Sequence, residues 1–155
     1  MAEKRMFTKK ITESDAFLDL PLSAQALYFH LNMNADDDGF VIVRNVLYDS
    51  YGNQSEVEVP QGVVKIEDSV FASRWDLTKV TIPSSVSSIG SYLFDNSSNL
   101  TNVTFEGNAP TVNNYSFVGV GSSCTVYVKR ESSGWGVTIP GTWNGLPIRY
   151  KESEE

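Results

Sequence analysis

Few residues of this 155-residue chain have types and spacing that could do chemistry. Asn34-Ala-Asp36-Asp-Asp38-Gly39 supplies oxygens at positions 1, 3 and 5 of a calcium loop and the glycine at position 6. Its twelfth position is Asn45. A bidentate glutamate belongs there, with an exiting helix after it, so the segment reads as a charged turn and no metal is expected. His30, the single histidine, falls in a helical stretch with no nucleophile near it in sequence. Cys124, the single cysteine, lies on or beside an apolar run and reads as a small core hydrophobe. One histidine and one cysteine exclude a zinc cage of the usual kind, and one cysteine excludes an intrachain disulfide. Asn53, Asn96, Asn99, Asn102 and Asn114 each open an Asn-x-Ser/Thr triplet, the product of an Asn/Ser/Thr-rich stretch. With no Gly-rich phosphate loop and no paired-carboxylate motif, neither catalysis nor a cofactor is expected.

Charge narrows the partners. Twelve bases against 19 acids give a net charge of −7, unevenly spread. Residues 1–10 carry four bases and one acid, and residues 11–38 carry six acids and no base. A general nucleic-acid coat is disfavoured, because phosphate binding rests on Lys and Arg. Only Lys4, Arg5, Lys9 and Lys10 could attract an anion. No apolar run approaches the ~20 residues of a membrane-spanning helix. The first residues lack the apolar stretch of a secretory signal, so a cytoplasmic chain without membrane contact is expected.

The elements that position these residues fall into two parts. Thr12 caps a short helix that Pro21 stops, and Ser23 caps a second over Ala24–Met33. Ala24, Leu27, Tyr28 and Leu31 form one apolar stripe on it. Asp36-Asp37-Asp38-Gly39 is a turn, and beyond it Gly, Ser, Asn, Thr and Val dominate. The boundary therefore falls near Gly39, giving a helical part over 1–38 and a β part over 39–155.

The β part repeats. Val57-Glu-Val59-Pro60 recurs as Val80-Thr-Ile82-Pro83, Val103-Thr-Phe105 and Val126-Tyr-Val128, a step of 23 residues. Ile66, Ile89 and Val112 keep the step, as do Phe71, Phe94 and Phe117. Leu77 and Leu100 also keep it, and Cys124 lies one residue off. A fixed period of this size means stacked coils that bury their apolar faces only against one another. Val80 and Ile82 share one face of a strand and Lys79 and Thr81 the other, and Pro83 ends it. Stacked arrays need modified ends. Trp135, Trp143 and Pro147 interrupt the pattern, and Thr142–Tyr150 reads as a closing strand and turn. Phe40–Tyr48 reads as a degenerate first rung, a hairpin with Asn45 near its turn.

Stacking in register leaves a ladder of outward residues: Glu56 and Glu58, Lys79 and Thr81, Asn102 and Thr104, Thr125 and Tyr127. This is the expected protein-binding face, with Tyr127 its best anchor, since tyrosine is enriched at binding centres.

The stretches Val80-Thr-Ile-Pro-Ser-Ser-Val-Ser-Ser-Ile-Gly-Ser-Tyr-Leu-Phe94 and Leu100-Thr-Asn-Val-Thr-Phe105 resemble the BspA-type leucine-rich repeat family over roughly residues 40–150. That resemblance implies a β-solenoid used for protein or surface binding without catalysis. The third repeat departs from it, with Glu106 where the strand-ending proline should be and Asn108-Ala-Pro110 in a different turn. Separately, the stretch from Met6 to Phe40 resembles the N-terminal end of phage replisome-organiser proteins, which carry a winged-helix DNA-binding domain. The recognition helix that should follow Phe40 is replaced by repeat sequence, so the fragment points to phage or prophage origin more than to DNA binding.

The expected fold is α+β: a short N-terminal helical segment capping a small leucine-rich-repeat β-solenoid. Three functions follow from these readings. The first is a non-catalytic binder of a host or phage protein. An acidic chain of this kind would suit a counter-defence inhibitor, an anti-CRISPR among the possibilities, of a host nucleic-acid-binding protein. The second is a residual DNA-binding replication factor, and the third a surface or adhesion repeat protein.

Overall fold

A computed structural model of the chain describes residues 40–50 and 53–152. The helical segment expected over 1–38 lies outside these residues, with His30, the acidic turn at Asn34–Gly39 and the basic residues Lys4, Arg5, Lys9 and Lys10.

Among the described residues there are eleven strands and no helix. They are β1 (Phe40–Val43), β2 (Val46–Ser50), β3 (Glu56–Glu58), β4 (Lys65–Ile66), β5 (Lys79–Ile82), β6 (Ser88–Ile89), β7 (Asn102–Phe105), β8 (Thr111–Val112), β9 (Thr125–Val128), β10 (Gly141–Trp143) and β11 (Leu146–Tyr150). One sheet has the order β1-β2-β4-β6-β8, the other β10-β11-β9-β7-β5-β3. Successive strands of the repeat alternate between the sheets, so each coil gives one strand to each. Val57, Val80, Val103 and Val126 are in register across parallel pairs, as the 23-residue step requires. The molecule is a β-solenoid.

Period-two alternation fills the interior. Val80, Ile82, Val103, Phe105, Val126 and Val128 point inward and are buried. Ile66 and Ile89 face them from the shorter strands. Leu77, Leu100 and Cys124 close the same core, each at the start of a rung. Burying one such side chain contributes about 1.5–3 kcal/mol.

The bend that returns each coil is built on left-handed backbone. Ser69, Tyr92 and Tyr115 have φ of 61°, 54° and 64°, and Ser73, Asn96 and Gly119 have 58°, 58° and 77°. Two such residues four apart wrap the chain around each phenylalanine. The freed backbone groups pair with the next coil: Phe71 N–H donates to the Leu93 carbonyl at 3.0 Å and Phe94 N–H to the Ser116 carbonyl at 3.1 Å. Two buried serines complete the pairing. Ser97 Oγ donates to the Phe71 carbonyl at 2.7 Å and Ser116 Oγ to the Gly90 carbonyl at 2.5 Å.

Among the described residues, a hairpin stands at each end of the solenoid. Arg44 and Asn45, with φ of 50° and 64°, turn β1 into β2, the expected first rung. Asn45 Nδ2 then donates to the Gly62 carbonyl at 2.7 Å. Asn144-Gly145, with φ of 47° and 84°, turns β10 into β11. Two positive φ values in a row are what a two-residue turn between twisted strands demands. At the closing end Trp143 packs edge-on to Phe105 and Phe117, both with centroids 5.6 Å away, and lies 5.0 Å from Trp135. Trp135 Nε1 donates to Ser132 Oγ at 2.9 Å, so the buried indole keeps its hydrogen bond.

Candidate protein-binding face

The outward positions of the longer sheet form two straight columns. Glu56, Lys79, Asn102 and Thr125 are successive register partners, and so are Glu58, Thr81, Thr104 and Tyr127. All eight residues expected on the face are therefore side by side, with adjacent rungs about 4.8 Å apart. Glu56, Glu58 and Lys79 are exposed, and Thr81, Asn102, Thr104, Thr125 and Tyr127 are half-buried. The threonine and asparagine side chains screen one another along the column and present hydroxyl and amide groups outward.

Parallel pairing continues beyond the four rungs. β11 lies beside β9 with Arg149 opposite Tyr127, so the second column runs Glu58, Thr81, Thr104, Tyr127, Arg149. Arg149 was not among the expected residues. The step from Tyr127 to Arg149 is 22 residues and passes through a hairpin, so the 23-residue rule misses it. The alternation of buried Leu146 and Ile148 with exposed Pro147 and Arg149 was the signal that could have placed it.

A third column explains the missing proline. Glu106 Oε2 meets Lys129 Nζ at 2.7 Å and Glu106 Oε1 meets Lys151 Nζ at 3.4 Å, tying three rungs together at their ends. The Lys129 hydrogen bond holds the Glu106 carboxyl below its ordinary range, against the effect of burial. At the opposite end Lys79 Nζ pairs with Glu56 Oε1 at 2.7 Å, an exposed contact of small energetic value.

The last rungs enclose an open depression of about 590 Å³ lined by Asn102, Thr104, Tyr127, Pro140, Arg149, Tyr150, Lys151 and Glu152. Arg130 stands 4.9 Å over the Tyr150 ring at its border. A second aromatic feature lies on the return bends, where Tyr92 and Tyr115 stack 5.3 Å apart with planes 17° from parallel. Both are exposed, as is Trp75. Among the described residues no cluster of His, Cys, Asp and Glu could hold a metal, and no helix is long and apolar enough to cross a membrane.

Residues 41–134 match the family model of the BspA type leucine rich repeat region, in 6 copies. No curated protein matches the sequence. Among solved structures, the crystal structure of a leucine rich cell surface protein from Faecalibacterium prausnitzii A2-165 is similar, with a TM-score of 0.38 and 20% identity. The match covers 76% of this chain and 41% of that one, so the chain spans about two fifths of that protein's length.

Proposed function

The chain belongs to the BspA-type leucine-rich repeat family, and from this premise we propose that it is a non-catalytic protein-binding module that recognises its partner with the outer face of its longer sheet. The observation that carries the reading is the five-residue column Glu58, Thr81, Thr104, Tyr127 and Arg149, held in register by parallel pairing. A rigid row of short polar side chains ending in a tyrosine and an arginine offers hydrogen bonds at low entropic cost. Tyr and Arg are also the side chains most often found at the centres of binding energy.

The finer reading, a phage-encoded inhibitor of a host nucleic-acid-binding protein, is supported by composition alone. Between residues 40 and 152 there are eight basic and ten acidic residues, so the repeat itself is close to neutral. The acid surplus that would be drawn to a basic channel sits mainly in residues 11–38, with six acids and no base. That segment also contains most of the phage-like sequence.

Affinity capture from host lysate tests the face. A variant combining Thr81→Lys, Thr104→Lys and Tyr127→Ala should lose the protein captured by the parent chain. A control altered on the other sheet, Ser88→Lys with Thr111→Lys, should keep it. Equal capture by both variants would remove the longer sheet from the interface.

A further inference from the structure

We infer that the depression at the closing end takes an extended acidic peptide, whose carboxylate is held by the Arg149 guanidinium beside Tyr127. This rests on the reading of the longer sheet as a binding face and names the chemistry of its occupant.

The argument starts from the state of the basic side chains. Lys65 pairs with Glu67, Arg74 with Asp76 and Lys79 with Glu56. Lys129 and Lys151 share Glu106, Arg130 lies over Tyr150, and Arg44 has an interaction of its own. Among the described residues, Arg149 is the basic side chain that no acid and no ring engages. It is exposed, yet it lines the depression together with Tyr127, Thr104 and Asn102. A planar guanidinium presents two parallel N–H donors that match a carboxylate, and a flexible ammonium does not.

Size and shape select the rest of the occupant. From Arg149 to the rung of Thr104 is two strand spacings, about 10 Å, the reach of three extended residues at ~3.3 Å each. The Tyr127 hydroxyl, Thr104 hydroxyl and Asn102 amide along that path are donors and acceptors for a peptide backbone. A volume of about 590 Å³ suits a few side chains. A second copy of this chain is a poor fit. The column alone, roughly 20 Å by 10 Å, matches one extended strand, whereas a folded partner would need ~800 Å² and would have to draw on surface beyond the depression. Three charged residues line the depression: Arg149, Lys151, which shares Glu106, and Glu152, so two cations face one acid there and the unengaged guanidinium of Arg149 is the group that points to an anion.

The test is a titration of the 15N-labelled full chain with three peptides, followed by amide and arginine Nε–H signals. The probes are Ac-Gly-Ser-Asp-Glu-Asp-Ser-NH2, its Asn-Gln-Asn counterpart and its Lys-Lys-Lys counterpart, all at low salt. The acidic peptide should shift Thr104, Tyr127 and Arg149 and bind at least ten-fold more tightly than the neutral one. Arg149→Gln should abolish that preference and Arg149→Lys should keep part of it, a pattern that loss of folding would not give. Equal binding of the neutral or basic peptide at the same residues would overturn the carboxylate assignment while leaving the binding face intact. Shifts by no peptide overturn it too, and the capture experiment above then decides the face separately. Two further results overturn the foreign peptide as occupant. One is binding seen only after removal of Ser153-Glu154-Glu155, which would make the chain's own end the ligand. The other is the same shifts appearing with protein concentration alone, which would make a second copy the ligand.

Discussion

Gly90 passes so close beneath Asp68 of the preceding coil that a Cβ on it would stand 2.5 Å from the Asp68 backbone nitrogen and 2.6 Å from the Glu67 carbonyl carbon. Both obstacles are backbone, and the backbone there is fixed by the sheet: Gly90 N–H donates to the Ile66 carbonyl at 2.9 Å. Neither coil can yield without breaking a rung. Gly90→Ala should therefore lower stability by about 1–3 kcal/mol, the usual effect of overpacking. Urea unfolding should show a lower midpoint at unchanged slope. A midpoint equal to that of the parent chain would contradict the close approach.

Phe94 sits between two other rings one repeat away on each side. Its centroid is 5.6 Å from Phe71 at 10° and 5.6 Å from Phe117 at 31°. It is fully buried, and Phe117 retains 8% exposure. Phe94→Ala should destabilise by about 3–5 kcal/mol and Phe117→Ala by less, because the outer ring leaves a cavity that can partly collapse. Thermal melts of the two variants side by side give the order.

Arg74 and Asp76 form the most enclosed ion pair of the described residues. The guanidinium donates through Nη2 at 2.9 Å and through Nε at 3.0 Å to the carboxylate, and Nη2 also donates to the Gln54 carbonyl at 3.0 Å. This pairing lowers the Asp76 pKa from its ordinary value. A carboxyl depressed in the folded state stabilises fully above its unfolded value, about pH 4, and loses that contribution as pH falls through the folded value. Asp76→Asn should cost about 1.5–3 kcal/mol at neutral pH. The gap between variant and parent should narrow below about pH 4, read from denaturation midpoints across a pH series.

Cys124 is fully enclosed, and burial pushes its thiol up to about 11. At pH 8 a folded chain should give no prompt reaction with a disulfide reagent such as DTNB, and one full equivalent in denaturant. Prompt labelling of the native protein would place the sulfur at the surface.

Ser73 holds φ of 58° where the coil two repeats later has Gly119 at 77°. Left-handed backbone costs a non-glycine residue about 1–2 kcal/mol, and glycine loses about 0.5–1 kcal/mol in added chain entropy. Ser73→Gly should raise stability by a net ~0.5 kcal/mol, seen as a small upward shift of the urea midpoint.

The columns of the solenoid were readable because they follow from a constant step. Val57, Val80, Val103 and Val126 must stack if each coil has the same length, and the outward residues between them stack as a consequence. The bends were less readable. Tyr92 and Tyr115 are not residues that favour positive φ, and the packing of the phenylalanines overrides their preference. Only Asn96 and Gly119 hinted at it. Glu106 stood out as a missing proline, and the reason lay 23 and 45 residues further on, in Lys129 and Lys151. Arg149 escaped because a hairpin shortens the last step, so no extrapolation of the period reaches it.

The terminal hairpins also bear on crowding at high concentration. Among the described residues, the strands β3 and β8 end their sheets without a reversed neighbour, and they belong to different sheets at opposite ends. A molecule arriving head to tail would offer β10 to β3 and β1 to β8, and both offered strands run against the direction of the coils. The register that joins one turn to the next cannot be copied across such a junction in either sheet. Parallel stacking of one molecule on the next, the contact that joins the coils, would therefore have to give way to antiparallel pairing at such a junction.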